Sequence, residues 1–129
     1  MDQKTQASAQ AIIYHNPACG TSRTVLAALR EAGFEPKVIE YLKDPPDRKT
    51  LETLLKRMGR NLREILRKRG TPYEELGLDQ PGVTDDALYA AIAEHPILIE
   101  RPIVSIGDSA ALCRPAEVVN ELIAAVRKS

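Results

Sequence analysis

The chain has 129 residues, with 18 Lys and Arg against 18 Asp and Glu and a formal net charge of zero. That length suits one domain able to bury a core, and ordinary apolar and charged fractions of 43% and 28% argue against disorder. Balanced charge gives no electrostatic reason to expect DNA, RNA or an anionic membrane as partner, and no apolar run approaches the ~20 residues of a membrane span.

Residues 1–10 are polar and lack the apolar centre and cleavage pattern of a secretory signal, so they read as a flexible leader to one domain over 11–129. Two cysteines are too few for a disulfide framework, and with no export signal both are expected as reduced thiols in the cytoplasm. The run Ala11 to His15 (AIIYH) is short, apolar and β-prone, a buried strand that Asn16-Pro17 breaks into a loop. Thr21 to Ala32 carries Val25, Leu26 and Leu29 on one helical face, and Gly33 suits its stop. Lys37 to Leu42 (KVIEYL) reads as a second strand. A strand, loop, helix and strand in that order favour a parallel pair joined by a right-handed crossover.

Asp44-Pro45-Pro46-Asp47 is a hard break, after which Asp47 can cap a helix running to Met58, with Leu51, Leu54, Leu55 and Met58 on one face. A short helix from about Leu62 to Lys68 and a turn-rich stretch from Gly70 to Gly82 follow. Thr84 can cap a third helix, Asp85 to Glu94, whose acidic first turn suits the helix dipole. Ile97 to Ile99 is a brief apolar run. Ile103 to Ile106 and Ala110 to Cys113 read as strands joined at Gly107-Asp108. Pro115 suits the first turn of a last helix, about Ala116 to Arg127. The order is strand–helix–strand, helical insertion, strand–strand–helix. That is the order of an α/β thioredoxin-like fold, a mixed β-sheet flanked by helices, with a helical insertion.

Cys19 falls between the first strand and the first turn of the first helix. Unpaired backbone N–H groups converge there and the helix dipole adds partial positive charge, so a thiol should be partly ionised and reactive near neutral pH. The same N–H groups can hold a tetrahedral oxyanion. Gly20 lets backbone come close, Thr21 and Ser22 can add hydroxyl donors, and Arg23 brings a fixed positive charge one turn on. The competing reading is a buried structural cysteine. A strand-to-helix turn with Pro17 before and Gly20 after is an exposed place, which favours the reactive reading. His15 either helps to set the thiol's protonation or is a satisfied histidine at a strand end. A metal site is not expected, because His15 and Cys19 are only two ligands and no C-x-x-C or paired His completes a set. The stretch Cys19-Gly20-Thr21-Ser22 lacks a local resolving thiol, so an outside thiol must resolve any adduct. Cys113 reads as a small apolar strand residue unless the fold brings it near.

Arg101 before Pro102 and Arg114 before Pro115 sit in irregular backbone beside strand ends, where binding groups collect in open α/β sheets. Their forked donors match oxyanion geometry. Each also has the plain reading of a solvated surface charge, and spacing alone favours it for Arg67, which lies among Arg60, Arg63, Lys68 and Arg69. That cluster as a nucleic-acid patch would lack interleaved aromatics.

The stretch Tyr14-His15-Asn16-Pro17-Ala18-Cys19-Gly20-Thr21-Ser22-Arg23 resembles the active-site loop of the glutaredoxin-coupled bacterial arsenate reductases. Tyr41-Leu42 with Pro45-Pro46, Leu66-Arg67-Lys68, Pro72 to Leu78, His95 to Ile99, Arg101 to Val104, and Leu112-Cys113-Arg114-Pro115 are similar to the same family in the same order. The resemblance implies a thioredoxin-like fold with Cys19 as catalytic cysteine and His15 as its nearby histidine. It implies Arg67, Arg101 and Arg114 as the oxyanion-binding arginines, which moves Arg67 from surface to site. Arg101-Pro102 falls where thioredoxin-like folds carry a cis-proline beside the active cysteine. The implied reaction is reduction of arsenate to arsenite through a covalent Cys19 adduct, with glutathione as co-substrate, glutaredoxin as electron source, and no bound metal or organic cofactor. Two other readings stand beside it. One is a redox-sensing transcription regulator of the Spx type that binds a protein partner through the Arg60–Arg69 face, which would call for a second thiol near Cys19. The other is a glutathione-dependent reductase of another substrate using the same loop.

Overall fold

The computed structural model describes residues 10–128. Residues 1–9 of the expected leader, and Ser129, lie outside the described residues. Strand β1 (Ala11–His15) is interior to a four-stranded sheet and nearly all buried, which is why it reads as an unbroken apolar run. β2 (Lys37–Glu40) pairs with it in parallel on one side, and β3 (Ile103–Ile106) in antiparallel on the other, so that Ile13 faces Val38 and Val104. β4 (Ser109–Leu112) adds antiparallel to β3, completing the order β2-β1-β3-β4. The parallel pair needs a crossover, which α1 (Gly20–Glu31) supplies. Gly33, at φ +96, ends it, with the Gly33 and Phe34 N–H groups returning to the carbonyls of Arg30 and Leu29.

Strand alternation sorts the core into two layers. Ala11, Ile13, Val104 and Ile106 pack with Val25 and Leu29 of α1 and with Val119, Leu122 and Ile123 of α4 (Val118–Lys128). Tyr14 and Ile103 face the other way. They meet Leu51, Leu54 and Leu55 of α2 (Arg48–Met58), Leu88 and Ile92 of α3 (Asp85–Glu94), and the connecting Leu62, Ile65, Leu66 and Ile99. Each fully buried Leu or Ile contributes roughly 1.5–3 kcal/mol against the opposing chain entropy. The expected caps are present: Asp47 accepts from Thr50 N–H at 2.8 Å and Thr84 from Ala87 N–H at 3.2 Å. Among the described residues no helix is long and apolar enough to cross a membrane.

Several boundaries differ from the sequence reading. The strand expected to Leu42 stops at Glu40, whose carbonyl accepts from both Lys43 and Asp44 N–H; the turn sends Tyr41 into the core and leaves Leu42 exposed. The helix expected over 62–68 is a single 3₁₀ turn, Leu62–Ile65, held by a reciprocal Asn61–Glu64 cap. Leu66 turns extended and forms a β-bridge with Ile99, which takes the backbone groups that a longer helix would need. β4 starts one residue early because Gly107, at φ +58, takes the first position of a two-residue turn where glycine is unstrained. α1 starts at Gly20 and not at Thr21. α4 starts at Val118, since the carbonyls of Pro115, Ala116 and Glu117 accept i+3 bonds first; Pro115 precedes the helix and is not in its first turn. The Arg101-Pro102 bond is cis as expected, and so is Arg114-Pro115.

Candidate active site

The loop after β1 is built by Asn16. Its Oδ1 accepts from Ala18 N–H at 3.0 Å and its carbonyl from Cys19 N–H at 2.9 Å, a local Asn turn that ends the strand. Cys19 is thereby delivered to the N-cap of α1, in extended backbone at φ −95 and ψ 122, with its carbonyl accepting from Arg23 N–H. His15 Nδ1 lies 2.6 Å from Ser22 Oγ, which also accepts from Asn16 N–H at 3.1 Å. The strand end, loop and helix are thus tied together under cover, since His15, Asn16 and Ser22 are all buried.

This corrects two expectations about donors. The Ser22 hydroxyl is turned inward and engaged with His15 and Asn16, so its backbone N–H, and not its side chain, is the group that favours a Cys19 thiolate. Arg23 does not face the thiol; its Nη1 donates to the Pro17 carbonyl at 2.8 Å and straps the outside of the loop. His15 touches Ser22 and not the sulfur. Burial, with Arg30 and Arg23 adding to it against Glu40, holds its pKa below the usual histidine value, which favours a neutral ring that acts on Cys19 through loop geometry. Thr21 is half-buried in the first turn of α1. A Cβ on Gly20 would meet only Arg23 Nη2, at an ordinary 3.8 Å, so the space over Gly20 is open.

The three arginines do come together. Arg114 Nη1 lies 3.9 Å from Cys19 Sγ and donates to the Arg101 carbonyl at 3.1 Å. Arg101 acts on the sulfur by side-chain hydrogen bonding and charge. Arg67 Nη1 donates to Glu100 Oε1 at 2.8 Å, and Arg114 Nε lies 3.8 Å from the same oxygen. Backbone pairing sets this register: Arg67 N–H donates to the Leu98 carbonyl and Glu100 N–H to that of Ile65, both at 2.7 Å, about the Leu66–Ile99 bridge. The segment expected as helix is therefore the one that carries Arg67 inward. Arg63 of the basic cluster spends its donors on the carbonyls of Leu78, Gln80 and Val83, and Arg60 pairs with Glu64.

Cys19 is more covered than its loop suggested, at 9% exposure, although Ala18 and Gly20 on either side are open. Burial by itself raises the thiol pKa, but Arg101, the Ser22 N–H and Arg114 outweigh it and bring the thiol down from 9.0 to about 7. Cys113 is fully buried, and burial alone pushes its thiol up to about 12, the behaviour of a structural cysteine. Residues missed in the sequence complete the site. Tyr41 is fully buried and its phenol pKa is raised by that burial, while Arg101 and Asn16 act on it in the opposite direction. The Tyr41 hydroxyl and Arg101 Nε are buried without a hydrogen-bond partner. A buried unpaired donor costs about 1–3 kcal/mol, so these two groups favour an acceptor arriving beside the sulfur. The arrangement joins a nucleophilic thiolate to forked cationic donors, the requirements for attack on a tetrahedral oxyanion. Among the described residues no group of three His, Cys, Asp or Glu could hold a metal.

The model of the ArsC family matches residues 14–122. The arsenate reductase of Rhizobium meliloti is 52% identical over 111 residues, which are 86% of this chain and 79% of that protein. The arsenate reductase of Escherichia coli K12 is 51% identical over 116 residues, 90% of this chain and 82% of that protein. A solved arsenate reductase from Vibrio cholerae superposes with a TM-score of 0.83 at 45% identity, covering 88% of this chain and 97% of that one.

Proposed function

The chain belongs to the ArsC family and is an arsenate reductase; on that premise we propose that Cys19 attacks the substrate and that glutathione and glutaredoxin supply the electrons. The observation that carries the assignment of roles is the Cys19 thiol held near pKa 7 beside Arg101 and Arg114, with Arg101 Nε buried and unpaired. Arsenate enters with its oxygens toward Arg101, Arg114 and the N–H groups at the start of α1. Arg67, linked to the others through Glu100, completes the cationic rim. The thiolate forms a sulfur–arsenic bond and an arsenic-bound hydroxyl leaves as water, its second proton coming from solvent. Reduction of arsenic(V) to arsenic(III) takes two electrons, given up as two thiols become one disulfide. We place glutathione as the second thiol, because Cys113 is buried and protonated. Glutaredoxin then reduces the Cys19–glutathione disulfide. These reductants belong to a reducing, cytoplasmic setting.

Phosphate has nearly the same shape and charge but does not accept thiol electrons, so it should occupy the pocket without turnover. The deciding assay follows NADPH oxidation with arsenate, glutathione, glutaredoxin and glutathione reductase supplied. Dependence on all of these, and loss of turnover in Cys19→Ser, is expected. Full turnover without glutaredoxin would remove that partner, and full turnover in the variant would remove Cys19 as the nucleophile.

A further inference from the structure

A carboxylate is an unexpected neighbour for an anion. We infer that Glu100 is a specificity-determining residue whose carboxylate accepts a hydrogen bond from a protonated oxygen of the substrate, admitting arsenate and phosphate and rejecting sulfate. The inference rests on reading the Cys19 pocket as the arsenate site.

Its placement is the first argument. Glu100 Oε1 takes the Arg67 guanidinium at 2.8 Å and lies 3.8 Å from Arg114 Nε, while Arg114 Nη1 reaches to 3.9 Å from the nucleophilic sulfur. The carboxylate therefore stands inside the set of cations that the oxyanion must use. Its side chain is only 21% exposed, and its backbone is pinned by the 2.7 Å bond to Ile65 across the Leu66–Ile99 bridge. It is not a surface side chain free to swing away.

The second argument is chemical. An ionised carboxylate only accepts hydrogen bonds, and it has about four lone-pair positions on two oxygens. The guanidinium contacts fall on Oε1, which leaves acceptor capacity on Oε2. A site meant for any dianion would lose affinity by carrying a fixed negative charge among its donors. The loss is offset only if the ligand brings a proton to that charge. Arsenate and phosphate retain at least one O–H near neutral pH, and sulfate retains none. With sulfate the carboxylate would face a bare anionic oxygen, losing a charge-assisted bond and gaining a repulsion. If Glu100 served only to hold Arg67 and Arg114 together, its removal would change the affinity for both anions by the same factor.

The test reads occupancy without any reductase turnover. Alkylation of Cys19 by iodoacetamide is followed in the full chain and in Glu100→Gln, under graded inorganic phosphate or sulfate at fixed pH and ionic strength. In the wild type, phosphate should protect Cys19, and sulfate should need a concentration at least about tenfold higher, the factor that one lost hydrogen bond of ordinary strength produces. In Glu100→Gln that preference should shrink by about tenfold, because the amide can donate to sulfate as readily as it accepts from phosphate. Equal protection of the wild type by the two anions overturns the inference, and that measurement stands whether or not the variant folds. A variant in which both affinities move by one common factor overturns it as well. Protection by neither anion removes the oxyanion reading of the pocket, and this inference with it.

Discussion

The sharpest consequence of the structure is the ionisation of Cys19, and Arg101→Gln is the perturbation that exposes it. A thiol brought from 9.0 to about 7 has its thiolate favoured over the protonated form by about 3 kcal/mol relative to an unperturbed cysteine. Arg101 is the strongest of the groups that oppose burial, followed by the Ser22 N–H and Arg114. Removing its charge leaves the burial penalty opposed only by the Ser22 N–H and Arg114, so the midpoint should rise from about 7 toward the ordinary 9.0. With the midpoint at the 9.0 limit, the thiolate fraction at pH 7 would fall from about one half to about one hundredth, roughly fiftyfold. The less acidic thiolate is intrinsically more nucleophilic by roughly eightfold for two units, so the net slowing of alkylation is about sixfold. The assay is the iodoacetamide rate at Cys19 against pH. The wild type should rise with a midpoint near 7 while Cys113, buried with a thiol pushed up to about 12, stays unlabelled. A variant whose midpoint equals that of the wild type would refute the claim that Arg101 holds the thiolate.

Folding stability should climb with pH from about 7 to 9.0, because the unfolded chain keeps a proton on Cys19 that the native chain has released. It should decline above 9.0, where native Cys113 keeps a proton that the unfolded chain gives up. Urea titrations at stepped pH would show both limbs, and Cys19→Ser should remove the rising limb alone. Ser22→Ala should cost about 1–3 kcal/mol, since it leaves Asn16 N–H and His15 Nδ1 buried without their shared partner. An unchanged urea midpoint would show that the loop is held by other contacts. Arg101→Lys keeps the charge but not the fork, and arsenate kcat/KM should fall by about tenfold or more; equal kinetics would take Arg101 out of the oxyanion site. Cys113→Ala should leave arsenate turnover intact, and its loss without unfolding would reinstate Cys113 as the resolving thiol.

What the sequence made legible was what short stretches determine by themselves. The AIIYH strand, the Asn16-Pro17 break and the helix after Cys19 are each local, and together they put the thiol at the N-cap. The caps at Asp47 and Thr84 were equally readable, because an N-cap needs only a residue and its third neighbour. What was not legible depended on pairing across the chain. Apolar spacing over Leu62 to Lys68 is compatible with a helix, and only the meeting of Leu66 with Ile99 makes it extended. The roles of Glu100 and Tyr41 arise from that pairing and from the turn after Glu40, and neither residue carries a local signal beyond adjacency to Arg101 and to the end of β2. Ser22 shows the converse error. A hydroxyl at the first turn of a helix is a natural oxyanion donor until the buried His15 claims it.

The charges at the site can be set against the substrate's own. Arg67, Arg101 and Arg114 bring three positive charges, and Glu100 together with the Cys19 thiolate brings two negative ones, leaving one net positive charge in a chain whose formal total is zero. Such a pocket is neutralised by a monoanion. Without Glu100 it would carry a second net positive charge and would match a dianion of any kind. The carboxylate thus narrows what a cluster of arginines would otherwise accept. The protonated form of arsenate that it favours is also the form with a hydroxyl ready to leave. Forming the sulfur–arsenic bond then consumes the thiolate charge at the moment the hydroxyl departs, so the arginines keep facing an anion throughout the step.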